Sequence, residues 1–247
     1  MDRYADKNVV ITGGTGGIGL ATAHRLVAGG ARVLVTGRNA EALQAARDAL
    51  GARAIAVQSD TASVADIDEL AARAQTEFDA LDLVFVNAGI TRWIPFADVD
   101  VDRYEEIFAV NAKGAYFTVQ KLAPLLRRGG AVVLTTSVTD VLGFPLTSVY
   151  AASKAAVRSM TRSFARELLD RGVRVNAVSP GVIDTDVLVK AASQEASDQV
   201  KRQVAETNPM KRIGRPEEVA AAVCFLAFEA TYTTGAELAI DGGSTQL

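Results

Sequence analysis

The stretch "NVVITGGTGGIG", residues 8–19, runs from apolar β-branched residues into a glycine cluster and then into a helical pattern. An apolar run without polar alternation is what a strand buried on both faces looks like. The same unit recurs along the 247 residues. Strands are expected at 8–12, 32–36, 53–57, 81–86, 131–136, 173–178 and 237–240, and helices at about 17–29, 40–50, 63–78, 101–127, 149–170 and 215–228. Strand and helix alternating this regularly predict an α/β protein, with a doubly wound, seven-stranded parallel sheet covered by helices on both faces. No Pro- or Gly-rich linker, charge block or repeat divides residues 1–247, so a single domain is expected. The segment 186–214 is too long for a simple connection, and extra chain at this place is where such sheets cover their ligands.

Composition narrows the function classes. Residues are 49% apolar and 22% charged, as in a well-packed globular protein, and a net charge of -3 gives no general attraction to nucleic acid or an anionic membrane. No apolar run reaches the length of about 20 residues that spans a bilayer, and the N-terminus lacks the apolar core of a secretory signal, so a cytoplasmic location is expected. The single cysteine, Cys224, lies in "AAVCFLAF" and reads as a core residue. The single histidine, His24, has no clustered partners, so no metal is expected.

Glycines between a first strand and a first helix let backbone N–H groups approach a pyrophosphate at the positive end of the helix. This is the dinucleotide-binding turn of a Rossmann fold, and two spacings overlap in it: Gly14, Gly16 and Gly19, or Gly13, Gly17 and Gly19. At the end of the second strand, where a carboxylate would bind the ribose hydroxyls of NAD, the chain reads "VTGRN", with Gly37 followed by Arg38. A guanidinium grips a 2'-phosphate that a carboxylate would repel, so NADP(H) is the preferred cofactor, with NAD(H) possible. An exposed arginine opening a helix is the plainer reading of Arg38. Asp60, after the third strand, is placed to reach the adenine amino group or to cap a turn.

Of five tyrosines only Tyr150 is followed four positions on by a lysine, Lys154, and Ser137 precedes it at the end of the fifth strand. All three are expected at the carboxyl edge of the sheet, beside the glycine turn. A tyrosine there can protonate a developing alkoxide, the ammonium of Lys154 is expected to draw the Tyr150 pKa down, and Ser137 can hold the substrate oxygen.

With Thr12-Gly13, Gly17-Ile18-Gly19, Asn87-Ala88-Gly89, Asn111, Ser137, Tyr150 with Lys154, and Pro180-Gly181 with Ile183 and Thr185, the chain resembles the classical short-chain dehydrogenases/reductases over essentially its whole length. The resemblance implies Asn111, Ser137, Tyr150 and Lys154 as the catalytic set. It also implies cofactor contacts from Gly13, Thr15, Gly17, Ile18, Gly19, Arg38, Asn39, Asp60, Asn87, Gly89, Tyr150, Lys154, Pro180, Gly181, Ile183 and Thr185. Asn111 would hold a water linking Lys154 to solvent, although an amide satisfied inside a helix reads equally well. Thr185 would contact the nicotinamide carboxamide. The expected activity is interconversion of a ketone and a secondary alcohol, by a carbonyl reductase or alcohol dehydrogenase working as a homotetramer. Within the family the chain looks like bacterial secondary-alcohol dehydrogenases and is also similar to 3-oxoacyl-carrier-protein reductases. Arg127, Arg128 and Arg171 are candidates for meeting an acidic carrier protein, or are solvated helix caps. A non-catalytic cofactor-sensing protein is the remote alternative. Leu142, Phe144 and Leu146, with Val187, Leu188 and Trp93, could furnish an apolar substrate pocket; the plainer reading is that Leu142, Phe144 and Leu146 pack their loop, and Trp93 reads either as a lid residue or as a subunit contact.

Overall fold

The structure, a computed structural model, describes residues 3–185 and 193–247. Seven strands form one parallel sheet: β1 (Asn8–Ile11), β2 (Arg32–Gly37), β3 (Ala54–Gln58), β4 (Leu81–Val86), β5 (Leu126–Thr135), β6 (Arg174–Pro180) and β7 (Glu237–Ile240). Their spatial order is β3-β2-β1-β4-β5-β6-β7. The order reverses between β1 and β4, and the crevice beyond the carboxyl ends of these two strands is where an open α/β sheet takes its ligand.

Helices α1 (Gly17–Ala28), α2 (Ala40–Leu50), α3 (Val64–Glu77), α4 (Val101–Phe108), α5 (Ala115–Leu122), α6 (Ser148–Glu167), α7 (Gln194–Thr207) and α8 (Pro216–Phe228) complete the layers. Successive strand residues point to opposite faces, which explains the unbroken apolar runs. Val9, Ile11, Leu83 and Phe85 join Leu26 of α1 and Val219 and Val223 of α8 in one core, while Val10, Val84 and Val86 join Leu70, Val119, Leu122, Val157 and Phe164 of α3, α5 and α6 in the other. Each fully buried side chain of this size contributes about 1.5–3 kcal/mol. Cys224 packs in the first core. Among the described residues no helix is long and apolar enough to cross a membrane.

One expectation needs correction. The helix expected over 101–127 is continuous to Leu125 but not uniform: α4 ends at Phe108, a π-helical turn covers Ala109–Gly114, α5 follows, and Leu126 already belongs to β5. Gly114 explains the wide turn, since a Cβ there would lie 2.3 Å from the Thr61 carbonyl oxygen, so the chain must pass the Thr61 backbone without a side chain. Pro124, in the last short turn, cannot continue the hydrogen-bond ladder. Arg127, Arg128 and Arg171 all sit where β5 and β6 begin, at the amino edge of the sheet and opposite the ligand crevice. Arg127 pairs with Asp82 at 3.4 Å, Arg171 bonds the Pro124 carbonyl at 3.2 Å, and Arg128 packs beside Gly172. Arg127 and Arg171 are thus engaged within the chain, Arg127 by an acid and Arg171 by a main-chain carbonyl. Of the covering segment, α7 is the expected helix, and residues 186–192, including Val187 and Leu188, lie outside the described residues.

Candidate active site

β1 delivers the chain into the glycine turn, and the end of β4 fastens it there. Thr12 Oγ1 accepts hydrogen bonds from the N–H groups of Asn87 and Ala88 at 3.0 and 3.1 Å, and Asn87 Nδ2 donates to the carbonyls of Thr12 and Gly13, both at 3.2 Å. Gly13 and Gly17 have φ of +66° and +50°, the left-handed region that a side chain disfavours. A Cβ on Gly19 would lie 2.2 Å from the Gly13 carbonyl oxygen, whereas one on Gly16 would meet nothing. A Cβ on Gly14 would lie 2.7 Å from Val35 Cβ, so Gly13, Gly14, Gly17 and Gly19 are all held to glycine and only Gly16 is sterically free. α1 starts at this turn with no side-chain cap and no acid in its first turn, unlike α2, α3, α4 and α7, whose caps are Asn39, Ser63, Asp100 and Ser193. Uncapped N–H groups at a helix start fit a diphosphate.

At the far end of the crevice, Pro180 ends β6 and Gly181 donates to the Ile240 carbonyl at 3.0 Å. Ile183 bridges to Gly214, and Thr185 then comes to rest with its methyl 3.1 Å from where a Gly17 Cβ would be. The segment containing Thr185 thus closes over the glycine turn. On the other side, a Cβ at Gly37 would sit 2.5 Å from the Thr15 methyl, so the position expected for a ribose-binding acid is held free of side chain. Arg38 is exposed and makes no ion pair among the described residues, and Asn39 Oδ1 caps α2 by accepting from Ala42 N–H at 2.8 Å. Asp60 Oδ1 accepts from Ala62 N–H at 2.9 Å, the turn role, and its other oxygen makes no bond to the described residues.

Ser137 follows β5 and opens a short helical turn, Val138–Asp140, its hydroxyl accepting from Thr139 N–H at 3.3 Å. Tyr150 and Lys154 lie on the first two turns of α6. The buried Lys154 Nζ donates to the Thr135 carbonyl at 2.8 Å while lying 5.8 Å from the centre of the Tyr150 ring, and Ser137 lies near enough to the Tyr150 phenol to act on its ionisation. Gly89 leaves room for this ammonium: a Cβ there would be 3.3 Å from both Lys154 Nζ and Asn111 Oδ1. Burial holds the Tyr150 phenol above its ordinary value, Ser137 pulls it back, and the Asp140 charge raises it further. Burial also lowers Lys154 to about 8, against a smaller upward push from Asp140. Ser137 is the group that pulls the Tyr150 phenol down here, while the Lys154 ammonium, held by the Thr135 carbonyl, stands 5.8 Å from the Tyr150 ring.

Asn111, in the π-helical turn, is satisfied by protein. Its Oδ1 accepts from Ile90 N–H at 2.8 Å, and its Nδ2 donates to the Ile90 carbonyl at 2.9 Å and to Ser153 Oγ at 3.0 Å. Ser153 Oγ in turn donates to the Tyr150 carbonyl at 2.7 Å. The side chain is thus a brace between the Gly89–Ile90 chain and α6, an amide satisfied inside the helix.

The rim is apolar. Val141, Phe144 and Leu146 are 51%, 47% and 44% exposed, too open to be packing the loop that carries them. Leu146 has φ of +67°, and its carbonyl accepts from Ile94 N–H at 3.0 Å, which ties this loop to the one bearing the half-buried Trp93. Sequence reasoning missed Asp140, Arg158 and Glu237, which meet directly behind Ser137. The one signal was Asp140 itself, an acid inside the otherwise apolar run "VTDVLGF".

The family model described as enoyl-(acyl carrier protein) reductase matches residues 13–245. The chain is 40% identical to oxidoreductase asL5 of Sarocladium schorii, over 100% of this chain and 99% of that protein. It is 37% identical to the L-rhamnose 1-dehydrogenase (NAD(P)(+)) of Sphingomonas sp. (strain SKA58), over 98% of each. A solved structure of a short chain dehydrogenase/reductase family protein superposes with a TM-score of 0.86 at 38% identity, covering 97% of both chains. Sequence, fold and relatives agree from one end of the chain to the other, and the protein belongs to the short-chain dehydrogenase/reductase family of oxidoreductases.

Proposed function

We propose that the protein interconverts a ketone and a secondary alcohol with NADP(H), Tyr150 acting as the acid and base. The observation that carries this reading is the convergence of Ser137, Tyr150 and Lys154 at the carboxyl edge of the sheet, with the Lys154 ammonium held by the Thr135 carbonyl 5.8 Å from the Tyr150 ring. A bound nicotinamide supplies or accepts the hydride. The chain's own residues do the rest. Ser137 orients the substrate oxygen, Tyr150 donates a proton to the oxygen as it gains charge, and Lys154, held by Thr135, provides a positive charge on the cofactor side of the tyrosine. The uncapped start of α1 and the glycines around it suit a diphosphate, and Arg38, with no acidic partner among the described residues, supports a 2'-phosphate and hence NADP(H). The exposed Val141, Phe144 and Leu146 favour a hydrophobic ketone.

Tyr150→Phe removes only the phenolic hydroxyl. Turnover should fall by about 10²–10⁴-fold while NADPH binding, followed by fluorescence, stays within about threefold. Turnover retained at the wild-type rate would exclude Tyr150 as the proton donor.

A further inference from the structure

Behind Ser137 lies a cluster of acids with too few donors to satisfy it. Glu237, on the outermost strand β7, reaches Thr136, the residue next to Ser137, and lies near enough to Asp140 for the two carboxyls to act on one another. Its Oε1 lies 2.6 Å from Thr136 Oγ1, whose single proton is also in range of the Val178 carbonyl at 3.0 Å. Its Oε2 lies 2.9 Å from Arg158 Nε as an ion pair without hydrogen-bond alignment. Both Asp140 oxygens are buried, and no donor among the described residues reaches them. Two carboxylates accept only, so with both ionised they would repel and Asp140 would have no partner; one proton between them removes both problems. Asp140 N–H also donates to the Ser137 carbonyl at 3.0 Å, closing the turn that sets the serine.

We propose that Asp140 is a positioning residue for this site: joined to Glu237 by one shared proton, it ties the turn carrying Ser137 to β7, and its charge governs how readily Tyr150 gives up a proton. The titratable groups facing Asp140 among the described residues are Tyr150, Lys154 and Arg158 of α6 and Glu237 of β7. Burial, then Glu237, holds the Asp140 carboxyl well above the usual carboxylate range, at about 7. Once ionised, Asp140 disfavours tyrosinate at Tyr150 and favours the ammonium of Lys154. The catalytic meaning of this rests on Tyr150 being the proton donor, but the ionisation of Tyr150 can be measured without turnover.

The test is a pH titration of ultraviolet tyrosinate absorbance, with and without saturating NADP+, taken as each protein minus its own Tyr150→Phe counterpart. Asp140→Asn removes the charge and should lower the Tyr150 midpoint by about 0.5–1 pH unit. Glu237→Gln breaks the same acid pair but leaves Asp140 charged, so it should not lower the midpoint, and Asp140→Glu should restore the wild-type value. An equal lowering in Asp140→Asn and Glu237→Gln, as simple loosening of the turn would give, overturns the proposal, as does an unmoved midpoint in Asp140→Asn. Thermal melting reads the shared proton separately. A folded-state pKa above the unfolded one contributes stability that is full below the unfolded value and lost as pH rises through the folded value, here between about 4 and 7. The amide introduced by Asp140→Asn cannot ionise. The melting temperature of that variant should therefore gain on wild type between about pH 5 and pH 8, by roughly 4 °C or more, and a gap that does not change with pH overturns the shared proton.

Discussion

On the proposed NADP(H) reading, Arg38 and its neighbour Gly37 tie a charge preference to one backbone approach. The Thr15 methyl occupies the space that a side chain at position 37 would need, so an acid there has to displace it. With no carboxylate at that position, the exposed Arg38 supplies the charge beside the place a ribose would take, its carbonyl held by Gln58 Nε2 at 3.0 Å. A charge-assisted hydrogen bond contributes about 1.5–3 kcal/mol. Arg38→Asp should thus weaken NADPH by about 10–100-fold and NADH by less than about threefold, read by fluorescence titration; an unchanged ratio would mean that the phosphate is held elsewhere. Residue types alone made Ser137, Tyr150 and Lys154 legible, because few chemistries want them together. Their partners were not legible. Lys154 meets a main-chain carbonyl, which has no sequence signature, and Asp140 gains its meaning from Glu237, on a strand that joins Thr136 from 101 positions away.

The elements were legible wherever local pattern and tertiary packing ask for the same thing, as in β1 and α1, and misread where packing overrides pattern. Residues 101–127 carry a helical pattern throughout, yet the close passage of Gly114 past Thr61 opens a π-helical turn, and that turn is what aims Asn111 at Ile90 and Ser153. The wide turn in the helix is therefore part of the brace for Tyr150, whose carbonyl Ser153 holds. Gly114→Val would force the Thr61 backbone aside. Overpacking of this kind costs about 1–3 kcal/mol, which a urea unfolding curve should report, and turnover should fall as well because Asn111 moves with the turn. Gly143→Ala, where an added Cβ meets nothing, is the control and should stay within about 0.5 kcal/mol of wild type. Equal stability of the two variants would show that the Thr61 contact does not hold the turn.

At the scale of the whole molecule, the apolar surface divides into separate patches. On α4 and α5, Tyr104 stacks on Phe108 at 4.6 Å and Tyr116 meets Phe117 edge-on at 5.4 Å, leaving these two tyrosines 46% and 40% exposed. Around the last strand, Phe225 of α8 and Leu238 of β7 are 46% and 37% exposed, and β7 is an edge strand with one side of its ladder unpaired. Large apolar groups and an open sheet edge are features that proteins cover. Two distinct faces, each meeting its own copy about a two-fold axis, generate a closed assembly of four chains. A homotetramer of the 26.0 kDa chain is thus the expected species in sedimentation velocity at micromolar concentration. Tyr116→Asp should open one interface and Phe225→Asp the other, so each variant should sediment as a dimer and the double variant as a monomer. A wild-type monomer would refute the assembly. A single variant falling directly to monomers would show that the intact face does not hold a dimer by itself.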